Sequence, residues 1–434
     1  MAKSYRPYLP EQDLLLPPSL RDWLPENHLA YFVNDVIDQL DLRAIESPYE
    51  QEERGYPPYH PRMMTKVLVY GYCVGVFSSR KLQKRLQEDV AFRVLAAGNE
   101  PDFRTISDFR KLHLEALEGL FRQVLRMALE LGAMKLGRVA IDGSKLKANA
   151  SKHKAMSYKR MKEDEKRLRE QVRRLLEQAE AVDAAEDAEY GPDGRGDELP
   201  AELARREERL RRIREAKRAL EERARAEAEA EGKSEEEAKQ VKPEAKAQYS
   251  FTDPESRIMK GPDGFVQGYN AQIAVEPALQ LIVGQAVTQQ ANDKQQLLSM
   301  IEKVKEQSGQ KPGAVLADSG YVSEENLRAV AKLGVEAHVA VGRQKHHQVA
   351  PPCPRGRIPK TASLLERMRR KLQTLAGRAI YARRKAIVEP VFGQIKQRQG
   401  FRQFLLRGIG KVRGEWALVC MTHNLLKVHR VCCT

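Results

Sequence analysis

Two short apolar runs in this chain end on an aspartate and continue into small polar residues: Val139-Ala-Ile-Asp142-Gly-Ser and Val315-Leu-Ala-Asp318-Ser-Gly. An apolar run of that length, closed by a turn signal, reads as a buried strand. A strand that ends on a carboxylate either turns there or holds the acid out for chemistry. If the two strands are neighbours, Asp142 and Asp318 meet at one edge of a sheet. A third acid, Glu389, is isolated in the basic segment RRKAIVEPVFGQIKQRQGF, where Ile387, Val388, Val391, Phe392 and Ile395 make an apolar helical face. Lys396 stands two turns after Glu389, on nearly the same face of a regular helix.

Three carboxylates at one point repel one another unless cations lie between them. Mg²⁺ prefers oxygen ligands, takes one or two carboxylates and completes its shell with water and substrate phosphate. Two such ions roughly 3.5–4 Å apart stabilise both the attacking and the leaving oxygen of a phosphodiester displacement. Cations that could hold the phosphates flank the acids: Lys145 and Lys147 after Asp142, and Arg383, Arg384 and Lys385 before Glu389. One strand-terminal Asp before a small residue is usually a turn. Two of them, with a lone Glu in a basic helix, favour a metal site. Asp293, in QQANDKQQL, reads instead as the N-cap of a following helix.

The 434 residues leave room for two or three domains. The 75 Lys and Arg outnumber the 60 Asp and Glu, a formal charge of +15. From Pro351 to Thr434 there are 19 basic residues against three acids, so the excess is concentrated in that stretch. The imbalance predicts a polyanionic partner, nucleic acid before an anionic membrane. The five cysteines include no C-x-x-C pair, and His153, His346 and His347 have no metal-ligand spacing with them. This predicts a reducing compartment, with neither a zinc site nor a disulfide framework. The opening MAKSYRPYLPEQDLLLPP lacks a signal-peptide core. No run approaches the roughly 18 apolar residues of a membrane span, so a cytoplasmic protein is expected.

These elements fall into zones. Residues 1–132 read as a helical domain. A helical stripe runs through Leu29, Phe32, Val33, Val36, Ile37 and Leu40. An apolar helix, a Gly/Ser break and a second helix then follow, the last with Leu82, Leu86 and Val90 on one face and Arg80, Lys81, Lys84 and Arg85 on a cationic flank. That order could place a recognition helix on DNA. Thr105 and Asp108 fit a capping box at the start of a third long helix. Residues 133–158 carry the first strand. Residues 159–247 are rich in Glu, Lys, Arg and Ala, with a seam at Leu168, Val172, Leu175, Ala179 and Val182 and again at Leu203, Leu210, Ile213 and Leu220. The turn-rich YGPDGRGDELP between them predicts an antiparallel helical hairpin inserted into another domain. Residues 248–434 resume as strands and helices, which together with the first strand predict an α/β domain with a mixed sheet.

At these residues the chain resembles the bacterial insertion-sequence DDE transposases. The likeness is carried by HPRMMTKVLVYGYCVGVFSSRKLQKRLQEDVAFRVLA, PDFRTISDFR, VAIDGSKLKANAS, VLADSGYVSEENL, VEPVFGQIKQRQGFRQFLLRG and VRGEWALVCMTHNLLKV. The resemblance implies a ribonuclease-H-like catalytic domain, with Asp142, Asp318 and Glu389 as its metal-binding acids and Mg²⁺ as the ion (Mn²⁺ substituting). In the relatives' signature a tyrosine and an arginine each stand one residue nearer the glutamate than Tyr381 and Arg384 do here, while Lys396 fits. Either Arg384 or Lys385 is left to serve the phosphate.

The reading is therefore a transposase that cleaves the ends of its own element and joins the freed 3′-OH to target DNA. Two Mg²⁺ ions would be held by the acids, and the N-terminal helices would bind the terminal inverted repeats of double-stranded DNA. A homodimer would bring two ends together. A host nuclease of the same fold would nick without strand transfer, and a repressor derived from a transposase would bind and cut nothing.

Overall fold

The computed structural model describes residues 19–50, 57–130, 132, 134, 136–150, 155–190, 201–230, 232–261, 264–342 and 352–432. His153, His346 and His347, the YGPDGRGDELP break after Tyr190, and the side chains of Ala179, Val182 and Leu203 lie outside the described residues.

Helices come first: α1 (Leu29–Gln39), α2 (Arg43–Glu50), α3 (Pro61–Cys73), α4 (Ser79–Glu88), α5 (Val90–Leu95), α6 (Phe103–Leu112) and α7 (Leu114–Glu130). Of the predicted stripe, Val33, Val36, Ile37 and Leu40 are buried, with Ala30 beside them, while Leu29 and Phe32 are half-buried. In α4, Leu82 and Leu86 face inward and the four cations face solvent. The cap of α6 differs from the expectation. Asp102 accepts from the Thr105 N–H at 2.7 Å, so the helix begins two residues before Thr105, which is itself capped. A break at His113 then separates α6 from α7.

The sheet is mixed. Its backbone is β1 (Arg138–Lys147), which pairs antiparallel with β5 (Gly264–Val275) on one edge and parallel with β7 (Ala314–Ala317) on the other. β7 pairs parallel with β8 (Glu336–Val339), while β4 (Arg257–Gly261) and β6 (Ile282–Thr288) pair antiparallel with successive halves of β5. Helices α11 (Gln296–Ser308) and α12 (Glu324–Lys332) alternate with β7 and β8, and α13 (Leu364–Gln373), α14 (Leu375–Gly393) and α15 (Ile409–Cys432) follow. This is the ribonuclease-H-like α/β arrangement expected of the sequence. The β4 strand has no apolar run of its own to announce it; of its residues, only Met259 is fully buried.

Between β1 and β4 the chain makes the inserted hairpin. Short strands β2 (Ala155–Ser157) and β3 (Gln248–Ser250) pair at its root, and α8 (Tyr158–Tyr190) and α9 (Ala201–Ala230) form its arms, followed by α10 (Glu235–Gln240). The arms run antiparallel, joined by Tyr158 Oη to Glu221 at 2.7 Å and by Lys217 to Glu165 at 3.0 Å. Met161, Leu168, Leu210, Ile213 and Leu220 give the hairpin its own small core.

The helices before β1 share one continuous apolar core with the sheet. Helix α15 joins them, packing on α3, α7 and β6. At that junction Glu415 is fully buried and accepts from the Leu405 and Leu406 N–H groups and from Tyr72 Oη. Arg110 donates to the same hydroxyl at 3.1 Å and to the Phe77 carbonyl at 2.8 Å. A buried charge is tolerated only when it is hydrogen-bonded and compensated, and this network does both.

Candidate active site

Parallel pairing sets Arg138 against Ala314, Val139 against Val315 and Ala140 against Leu316. Carried two residues further, the same register brings Asp142 level with Asp318. Asp318 follows the end of β7, as expected. Asp142 does not end its strand: β1 continues to Lys147, because the long partner β5 goes on pairing, Gly143 with Gln272 and Lys145 with Asn270. The acid lies where the parallel neighbour stops and the antiparallel one continues, which opens one edge of β1 beside its carboxylate.

Both oxygens of Asp142 have donors. Oδ1 accepts from the Gly143 N–H at 2.8 Å, and Oδ2 from Arg384 Nη1 at 3.1 Å. Burial, with a smaller contribution from the nearby Asp318 carboxylate, pushes the carboxyl up to about 6 against the opposing pull of Arg384. That mutual influence is the electrostatic sign of two carboxylates facing a common space. Tyr381 belongs to the same group: burial raises its hydroxyl, with Arg384, Asp318 and Asp142 all acting on it. Of the two cations left open by the sequence, Arg384 reaches the site and is buried, whereas Lys385 and Arg383 point to solvent.

Glu389 lies on α14, on its exposed side. It stands five positions after Arg384, which sets it about 140° away around the helix axis. Pro390 follows, and a proline cannot bond the carbonyl four residues before it. That carbonyl, of Ala386, accepts instead from Gln280 Nε2 at 3.0 Å. Past Gly393 the chain makes a π-helical turn, Gln394–Arg398, so the regular phase that would stack Lys396 over Glu389 is lost. Lys396 turns to the sheet, where its Nζ donates to Ser144 Oγ and lies 5.7 Å from the Phe392 ring centre. Ser144 and Asp142 share one face of β1. The structure thus gathers Asp142, Asp318, Arg384, Tyr381, Ser144 and Lys396, while Glu389 is exposed on α14 and makes no contact with this group. Among the described residues no three Asp, Glu, His or Cys side chains stand close enough to share one metal ion.

The other cations divide. Lys147 is exposed at the end of β1, its carbonyl holding the Phe404 N–H at 2.9 Å. Lys145 is turned inward and pairs with Asp293 at 3.1 Å. Asp293 is therefore not the helix cap that its position suggested: α11 starts at Gln296, and the carboxylate points to the sheet. On α4, Lys84 and Arg85 pair with Glu88 and Asp89 one turn on, Arg80 lies 5.0 Å from the Phe103 ring centre, and Lys81 is exposed.

Residues 18–112 match the family model described as Transposase domain (DUF772), and residues 207–425, half of the chain, match that described as Transposase DDE domain. The chain belongs to the DDE transposase family. No curated protein and no solved structure matches it. The transposase therefore catalyses DNA cleavage and strand transfer, binds DNA and depends on a divalent metal. Its second match begins inside α9, so Asp318 and Glu389 fall within it while β1 and Asp142 precede it. No helix among the described residues is long and apolar enough to cross a membrane.

Proposed function

We propose that Asp142, Asp318 and Glu389 are the metal-binding acids of the transposase and that Mg²⁺ is the ion. The observation that carries the reading is the juxtaposition of Asp142 and Asp318 at the open edge of β1, with a guanidinium already standing against Asp142 as a cation. Two carboxylates suit an ion that keeps water and phosphate in its shell. The place of Glu389 in the set rests on the family resemblance. Bound there, the divalent ion supplies Lewis acidity for water attack and for departure of the 3′-oxygen.

The chain's own residues supply the rest. Lys396 and Arg384 present fixed positive charge beside the acids, where the scissile phosphate would lie. Lys147, Arg383 and Lys385 extend that charge outward along the DNA backbone, and Lys145 backs the site from within. Tyr381 packs on Arg384 and restricts its orientation. No serine or tyrosine nucleophile is required, since water and then the freed 3′-OH are the attacking groups.

The helices of residues 1–132, with Arg80, Lys81, Lys84 and Arg85 along α4, are assigned to the terminal inverted repeats. The hairpin of residues 159–247 has its own core and stands apart from the acids, which suits bridging or clamping more than chemistry. It interrupts a catalytic domain made of residues 133–158 and 248–434. Two ends must be joined, so the working form is a homodimer. A supercoiled plasmid carrying the gene with its own flanks tests the assignment: Asp318→Asn and Glu389→Gln should each bind the ends and cleave nothing with Mg²⁺. Wild-type cleavage by Glu389→Gln would remove that residue from the set.

A further inference from the structure

Behind the acids, on the face of β1 opposite Arg384, lies a polar cluster of which only Lys145 figures in these roles. Gly143, Lys145, Asn270 and Gln272 are cross-strand partners, so their side chains share that face. Asp293 stands over them. Its Oδ1 accepts from Asn270 Nδ2 at 2.6 Å, Gln272 Nε2 at 2.7 Å and Lys145 Nζ at 3.1 Å. Gln272 then turns its other end outward and accepts, through Oε1, from Tyr321 Oη. Tyr321 closes the short helical turn that begins directly after Asp318, and it is fully buried. Its carbonyl is held by Asn326 Nδ2 at 2.8 Å, and the same amide holds the Lys294 carbonyl, beside Asp293, at 2.6 Å.

The two glycines beside the acids fit this cluster. A Cβ on Gly143 would stand 2.1 Å from Gln272 Nε2, so only glycine lets the amide pass over β1. A Cβ on Gly320 would stand 3.0 Å from Asp318 Oδ1 and 3.6 Å from Asp293 Oδ2, so the two carboxylates border one small space. The Gly320 N–H donates to Asp318 Oδ1 at 2.8 Å.

We infer that Asp293 is a positioning residue: through Gln272 and Tyr321 it fixes the turn that presents Asp318 level with Asp142. The inference rests on the assignment of Asp318 as a metal-binding acid. Its physical basis is the amide of Gln272. An amide held at one end by a carboxylate and at the other by a hydroxyl has a single orientation. Asn270 and Gln272 are fully buried, and buried polar groups that are fully satisfied specify one arrangement, while a half-satisfied set loosens. With Asp293 in place, Tyr321 has one fixed acceptor and the Asp318 turn one position. Without it, Gln272 can reverse and Tyr321 loses its fixed acceptor, leaving Asn326 as the remaining hold on the turn.

Asp293→Asn and Tyr321→Phe test this, with Asp318→Asn alongside. Each is compared with wild type for thermal unfolding, end binding, single-turnover cleavage, and Mn²⁺ binding to the complex with an uncleavable DNA end, followed by paramagnetic resonance. Both variants should unfold within a few degrees of wild type and bind ends within about twofold. Cleavage should fall about tenfold or more, the scale set by sub-ångström misplacement of a catalytic group, and Mn²⁺ binding should weaken several-fold. Asp318→Asn should abolish both. If Asp318→Asn fails as expected while both other variants cleave and bind Mn²⁺ as wild type does, the positioning role is wrong and the acid assignment stands. If Asp318→Asn itself cleaves normally, the acid assignment is what fails. Should Asp293→Asn unfold, Tyr321→Phe, which removes one oxygen from the same chain of contacts, carries the test.

Discussion

Arg384 donates to Asp142 across 3.1 Å, a contact between residues 242 positions apart in the chain, and both side chains are largely removed from solvent. In this arrangement the guanidinium occupies the approach to Asp142 Oδ2, while the other oxygen is taken by its neighbour's N–H. A divalent ion that binds Asp142 must share or displace that cation.

Arg384→Gln should therefore tighten Mn²⁺ binding to the DNA-free protein by roughly tenfold, the scale of one screened charge contact. Cleavage should fall nonetheless, because the phosphate loses its buried cation. Paramagnetic resonance on the metal-titrated protein reads the first effect. Unchanged or weaker Mn²⁺ binding would show that Arg384 does not compete for the carboxylate.

The junction between the N-terminal helices and α15 supports a stability prediction. Glu415 is the buried acceptor for Tyr72 and for two backbone N–H groups, with Arg110 compensating its charge. Glu415→Ala should cost about 3 kcal/mol or more, since it strands buried donors and leaves a buried cation uncompensated. Chemical unfolding measures it. A cost below about 1 kcal/mol, in the range of a single ordinary hydrogen bond, would mean the network is not a keystone of the junction.

A pH dependence follows from His423. Burial lowers its pKa to about 4 from an ordinary 6.5, and its Nε2 bonds the Gln280 carbonyl at 3.1 Å. Gln280 is the residue that satisfies Ala386 beneath Pro390, so this histidine anchors α14 from behind. A depressed pKa means the unfolded chain takes up the proton first. The stability from His423 is thus complete above about 6.5 and is lost as pH falls towards 4, by roughly 3 kcal/mol in all. His423→Gln should flatten that part of the stability–pH curve. An equally steep curve in the variant would assign the acid sensitivity to other groups.

Much of the architecture was legible because it rests on local pattern. The apolar runs at Val139–Ile141 and Val315–Ala317, the helical stripe of α1 and the charged heptads of the hairpin each announce an element over a few turns or residues. What the pattern could not supply is contact between distant residues. Lys145 and Asp293 are 148 positions apart, so the aspartate looked like a helix cap when it is a partner of the sheet. The choice between Arg384 and Lys385 depends on which side of α14 meets β1, and neighbours in sequence lie about 100° apart on a helix. The phase of Lys396 depended on a π turn, which no spacing rule anticipates. The continuation of β1 past Asp142 came from its partner strand, whose length outweighed the turn signal of Asp-Gly.

The central claim is that Asp142 holds metal for cleavage of the element's own ends. The most direct measurement is the cleavage and joining of labelled DNA carrying the gene's flanks, with Mg²⁺ or EDTA, by wild type and by Asp142→Asn. The account predicts 3′-OH ends and joined products with wild type and Mg²⁺ alone, and bound but intact DNA with Asp142→Asn. Full metal-dependent cleavage by a folded Asp142→Asn protein would contradict it.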